Sequence, residues 1–77
     1  MSNNIEKIAA IIENNDVDLM GLRPYLEEIF PKKSIDFSFA GAAHFSIKTK
    51  EGNIMIVNKK YVSGAEKVAG EYAIGYV

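Results

Sequence analysis

The stretch Lys50-Glu51-Gly52-Asn53-Ile54-Met55-Ile56-Val57 decides how this chain is read: a tight-turn signal followed by four consecutive apolar residues. Upstream, Ile35, Phe37 and Phe39, and then Phe45 and Ile47, alternate with polar residues, the pattern of strands with one dry and one wet face. The run from Ile54 to Val57 does not alternate, so the third strand is apolar on both faces. Helices roof one face of a sheet; the second needs other cover, and 77 residues leave little material for it. The expectation is contact with another copy or another protein.

The register of this hairpin has two solutions. A two-residue loop at Glu51-Gly52 places Ile54 and Ile56 beside Phe45 and Ile47. A longer loop with Gly52 in the left-handed conformation places Met55 and Val57 there instead. In both cases one apolar pair lies on the far face, among Ser46 and Lys48.

Outward from the hairpin, the N-terminal third reads as helical. Asn3 and Glu6 have capping-box spacing, and Ile5, Ile8, Ala9 and Ile12 form one apolar stripe, with Ile11 widening it. Asn14-Asn15-Asp16 ends this helix by competing for backbone hydrogen bonds. A second stripe, Leu19, Leu22, Leu26 and Ile29, has Pro24 inside it, and proline is comfortable only in a first helical turn. The secure helix is therefore Leu22 to Phe30, stopped by Pro31, and the two helices are expected to form an antiparallel hairpin.

Strands are expected over Ser34 to Ala40, Ala43 to Lys50, Asn53 to Lys59 and Glu71 to Val77. Gly75 marks a bulge or a close backbone approach in the last of them. Between the third and fourth strands, Ser63 and Glu66 repeat the capping-box spacing, and Gly70 is a helix stop, so a short helix is expected from Gly64 to Ala69. Residues 1–77 thus form a single α+β domain, a helical hairpin on one face of a four-stranded, mainly antiparallel sheet, in the order ααβββ, short α, β. The expected core is Ile5, Ile8, Ile12, Leu22, Leu26, Ile29, Phe30, Ile35, Phe37, Phe39, Phe45, Ile47 and Ile74.

A domain this small buries only about 60% of its unfolded surface and gains margin from disulfides, a metal or self-association. There is no cysteine and one histidine, so neither a disulfide nor a zinc site of nitrogen and sulfur ligands can form within the chain. Composition, 48% hydrophobic and 25% charged, is that of an ordinary globular domain. No stretch approaches the roughly 18 apolar residues of a membrane span. The N-terminus lacks a secretory signal pattern, so a cytoplasmic location is expected. The net charge of −1 conceals a split. Through Pro31 six acids face Lys7 and Arg23; from Lys32 onward seven lysines face four acids. Such a split can guide partner docking.

Catalytic signatures are weak. His44 lies on the wet face of the second strand with Ser46 two positions on, but such neighbours stand about 6.5–7 Å apart, too far for a nucleophile–base pair. Asp36 on the adjacent strand can approach His44, an arrangement equally typical of a solvated surface. Glu27 and Glu28 point about 100° apart on a helix and share no site. The glycines around Ser63 to Gly70 lack the Gly-Lys-Ser/Thr of a phosphate loop. No enzyme activity, cofactor or metal is expected.

The function expected is a non-enzymatic protein–protein interaction module, homodimeric and acting by occupying a partner's surface. Its expected interface is Ile54, Met55, Ile56 and Val57 with Ser46, Lys48, Tyr72 and Tyr76, an apolar centre with a polar rim. Small cysteine-free domains of this kind include phage-encoded inhibitors of host defence complexes, such as anti-CRISPR proteins, an analogy from size and composition alone. The alternative is a nucleic-acid-binding accessory protein using Lys48, Lys50, Lys59, Lys60 and Tyr61, with tyrosines as stacking surfaces. A sequence pI near 5.7 and a single arginine weigh against it.

Overall fold

The Lys50-Glu51 turn organises the sheet. In the computed structural model, which describes residues 3–77, Thr49 pairs with Gly52 to close the hairpin between β2 (His44–Thr49) and β3 (Gly52–Asn58). The Thr49 hydroxyl donates to the Gly52 carbonyl (2.6 Å) and accepts from the Glu51 amide (3.1 Å). Gly52 has φ +131°, a conformation L side chains avoid. Both sequence alternatives are partly right: Gly52 takes positive φ, as the longer loop requires, while Ile54 and Ile56 face Ile47 and Phe45, as in the shorter one.

Around this hairpin the strand order is β1-β2-β3-β5-β4, every pairing antiparallel. β1 is Ile35–Ser38, β4 Lys67–Ala69 and β5 Tyr72–Tyr76. The sheet therefore has five strands, not four, and β4 stands where a short helix was expected. Gly64, at φ +75°, turns the chain, and Glu66 sends its carboxylate to the Tyr76 amide (3.1 Å) instead of back to Ser63. Tertiary pairing with β5 overrides a local capping pattern.

The helical layer is also rearranged. α1 (Asn3–Asn14) follows its stripe and is closed by Asn15 Nδ2 donating to the Ile11 carbonyl (2.8 Å). The Asn3 side chain, and with it the capping-box contact to Glu6, lies outside the described residues. The second helix is much shorter than expected. A 3₁₀ turn, Met20–Leu22, leads into α2, Arg23–Leu26, and the residues beyond Leu26 close with a mixture of i→i−4 bonds (Glu27, Phe30) and i→i−3 bonds (Glu28, Ile29) before Pro31. Instead of pairing as a hairpin, α1 packs on β4 and β5, while Leu22 and Leu26 reach the core separately.

On the helix-facing side of the sheet, Ile35, Phe45, Ile47, Ile54, Ile56, Ala69 and Ile74 are buried against Ile5, Ile8, Ala9, Ile12, Leu22, Leu26 and Phe30. Of the expected core, Ile29 and Phe39 are exposed and Phe37 is half-buried. The additions are Ala9, Ile54, Ile56 and Ala69, with Val57 and Ala73 buried on the opposite face.

That opposite face receives cover from the same chain. β4 runs in the direction of β3, with β5 between them, so residues 59–66 must return the length of the sheet before β4 begins. They pass over the outer face, where Val62 and Ala65 line a cleft with Met55, Val57, Ala73 and Gly75. Val57 is left 4% exposed and Met55 half-buried. The expected shortage of cover at β3 is thus largely met within one protomer. β5 keeps its register at Gly75, so there is no bulge, and a Cβ there would meet the Glu66 backbone at 3.6 Å, an ordinary van der Waals contact, so no unusually close approach demands the glycine.

Candidate interaction site

Three segments converge at the end of the sheet where β3 finishes. Asp18 Oδ1 accepts from the Gly21 amide (2.8 Å), starting the 3₁₀ turn and presenting Leu19 and Met20. β1 ends as the Ser38 hydroxyl accepts from the Ala40 amide (3.1 Å), so Phe39 is the first residue beyond the strand. Asn58 Oδ1 accepts from the Lys60 amide (2.9 Å), capping a 3₁₀ turn, Lys59–Tyr61, that carries Tyr61 outward. Each segment begins with a short polar side chain folding the backbone back on itself.

Between them lies a groove of about 340 Å³ bordered by Leu19, Met20, Phe37, Phe39, Tyr61 and Tyr72. Phe37 meets Phe45 at a ring-centroid distance of 4.8 Å and Phe39 at 4.8 Å, both edge-to-face, so an aromatic ladder runs from the core to the surface. Three groove residues stand open to solvent: Phe39 is 71% exposed, Met20 60% and Tyr61 58%. Lys60 Nζ sits 5.2 Å from the Tyr61 ring centroid and Asp18 also lines the groove, giving it one charge of each sign. Burial raises the Tyr72 phenol above its ordinary pKa, helped by the charges of Glu71 and Asp18 and opposed by a hydrogen bond with the Leu19 backbone.

The expected interface residues do not form one patch. Ile54 and Ile56 are fully buried beneath the helices and are not available as a surface. Met55 and Val57 lie on the outer face with Ser46 and Lys48, Val57 already covered. Tyr72 borders the groove at the opposite end of β5 from Tyr76, whose hydroxyl donates to Glu51 (3.0 Å) beside the β2–β3 turn. β3 is central in the sheet, so edge-to-edge pairing through it is ruled out.

The lysine set divides likewise. Lys59, Lys60 and Tyr61 share the groove end, whereas Lys50 occupies the hairpin turn at the far end and Lys48 the outer face. His44 Nδ1 bonds to the Ala42 carbonyl (2.8 Å), and its cross-strand neighbour is Ser38, while Asp36 stands opposite Ser46. No hydrogen bond joins His44 to any of these three side chains. Among the described residues no cluster of three His, Asp or Glu side chains could hold a metal, and no helix is long and apolar enough to cross a membrane.

The alternation Ile35, Phe37, Phe39 is plain in the sequence, but β1 stops at Ser38, so Phe39 falls beyond the strand, ahead of a turn at Gly41 with φ +68°. Compared with known proteins, this chain matches no family model, no curated protein and no solved structure.

Proposed function

We propose that this chain is a non-enzymatic protein–protein interaction module that acts by occupying a partner's surface, and that the aromatic groove is the surface it offers. One observation carries the reading: Met20, Phe39 and Tyr61, three large side chains open to solvent, border a single concavity. Clustered exposed apolar groups rimmed by charge are the make-up of binding sites, and aromatic and methionine side chains anchor them. Phage-type inhibition of a host complex is one form such occupation takes. In the test, immobilised protein is exposed to lysate of the encoding organism. Wild type retains a specific protein that a Met20→Ser, Tyr61→Ser variant of unchanged circular dichroism does not. Equal retention by both overturns the reading.

A second reading is favoured by Lys59 and Lys60 beside Tyr61 and Phe39, which together offer cations and stacking faces to a single-stranded nucleic acid. It predicts affinity for an oligonucleotide that falls steeply with salt, read by fluorescence anisotropy at two ionic strengths. No binding at low salt removes it.

A further inference from the structure

The sheet has two edges, and the chain treats them differently. The Val77 amide donates to the Asn53 carbonyl (2.9 Å), so odd-numbered residues of β3 bond to β5 and even-numbered ones to β2. Carried across the registers, this alternation turns the backbone of Asp36 and Ser38 toward β2 and that of Ile35 and Phe37 away from the sheet. At Ile35 the outward carbonyl accepts from Arg23 Nη2 (3.4 Å), whose guanidinium Glu27 holds at 3.1 Å. At the other edge, β4 is three residues long, and past its end Glu66 takes the Tyr76 amide of β5. Phe37 has no such guard: its N–H and C=O meet no partner among the described residues.

Chains that stay single protect an open edge with lysine, proline or an inward charge. Phe37-Ser38-Phe39-Ala40 has none of these, and Phe39 beside it is 71% exposed. We propose that a second copy of this chain adds its own β1 antiparallel to this edge about a two-fold axis, Phe37 of each copy lying opposite Phe39 of the other. In that register, which extends β1 by one residue to Phe39, Phe37 exchanges both backbone bonds with the facing Phe39, and the Arg23 contact at Ile35 is undisturbed. The four rings gather on the helix-facing side, where cross-strand aromatic pairs add to the ladder already present. Ser38 faces its own counterpart and Asp36 faces Ala40, so no like charges oppose. The patch is self-complementary, as a two-fold contact demands. A segment this short buries less than the roughly 1,200 Å² of a stable interface, so the dimer is weak and forms at high protein concentration. This pairing goes beyond the groove reading and requires no foreign partner.

Sedimentation velocity on the full chain, from low-micromolar to near-millimolar concentration, tests it alongside hydrogen exchange. The expected result is a mass rising from one chain toward two, with exchange at the Phe37 amide slowing as the dimer fills while that at Val68, on the other edge, does not change. Phe39→Glu, at an exposed position, should keep the fold and weaken association about tenfold or more, through loss of two symmetry-related aromatic pairs. A single-chain mass at every concentration overturns the proposal. So does a dimer whose Phe37 amide exchanges freely, or one that Phe39→Glu leaves intact. None of these outcomes bears on lysate capture through Met20 and Tyr61, so the two readings fail separately.

Discussion

The helix-facing side of the sheet divides into two halves with opposite fates. Over β4 and β5 lies α1, three turns long, and Ile8, Ile12, Ala69 and Ile74 beneath and within it are dry. Over the far end of β1 and β2 the roof has shrunk to a four-residue α2 and a 3₁₀ turn, and the aromatic alternation runs out from under it into solvent. The same strand chemistry, large apolar side chains on alternate positions, serves the core in one half and the surface in the other. What separates core from surface is the length of the roof. A chain that needed only stability would not place Phe39, Met20 and Tyr61 together in water, since their burial would contribute roughly 1.5–3 kcal/mol apiece.

The contrast can be broken most forcefully from the roofed half. Ile56→Ala, at a fully buried central position, should cost about 2–5 kcal/mol of unfolding free energy, read by urea denaturation, because the rigid surroundings cannot close the cavity. Gly70→Ala tests the join between α1 and the β4–β5 turn. Gly70 has φ +57°, and a Cβ there would lie 3.3 Å from Ile12 Cγ2, so a loss of about 1–2 kcal/mol is expected in the same titration. Glu66→Ala removes the acceptor of the Tyr76 amide and should cost about 1 kcal/mol, with faster exchange of that amide; Glu66→Gln, which keeps an acceptor oxygen, should restore most of it. The unroofed half should answer least: Phe39→Ser and Tyr61→Ser are each expected to change stability by no more than about 0.5 kcal/mol. A loss of several kcal/mol at either would mean that the open end belongs to the core after all.

Much of this architecture is legible in the residues. The stripe Ile5, Ile8, Ala9, Ile12 specifies α1 because a helix with one apolar face has one way to dock. The alternation through Phe45 and Ile47 specifies β2, since a slip by one residue would invert its faces. Other features rest on interactions remote in sequence. The Ser63–Glu66 spacing fits a helix start as well as it fits the turn into β4, and pairing with β5 decides between them. The second stripe overstates α2, because Ile29 keeps the helical spacing while the backbone loosens ahead of Pro31. The doubly apolar β3 needs a second layer of cover, expected from another molecule; the crossover through Val62 supplies most of it from the same chain, which no local pattern reveals. The groove was hidden for a related reason: alternation tells which face a side chain takes and is silent on whether a roof extends that far. Alternation alone therefore puts Phe39 in the core, whereas it is 71% exposed.

We propose that the open aromatic end serves recognition and not folding. The most direct measurement compares wild type with a Met20→Ser, Phe39→Ser, Tyr61→Ser triple variant on the same lysate after both are shown to unfold at the same urea midpoint. The expected result is a specific protein bound to the wild type and missing from the variant. The same protein on both, or none on either, would contradict it.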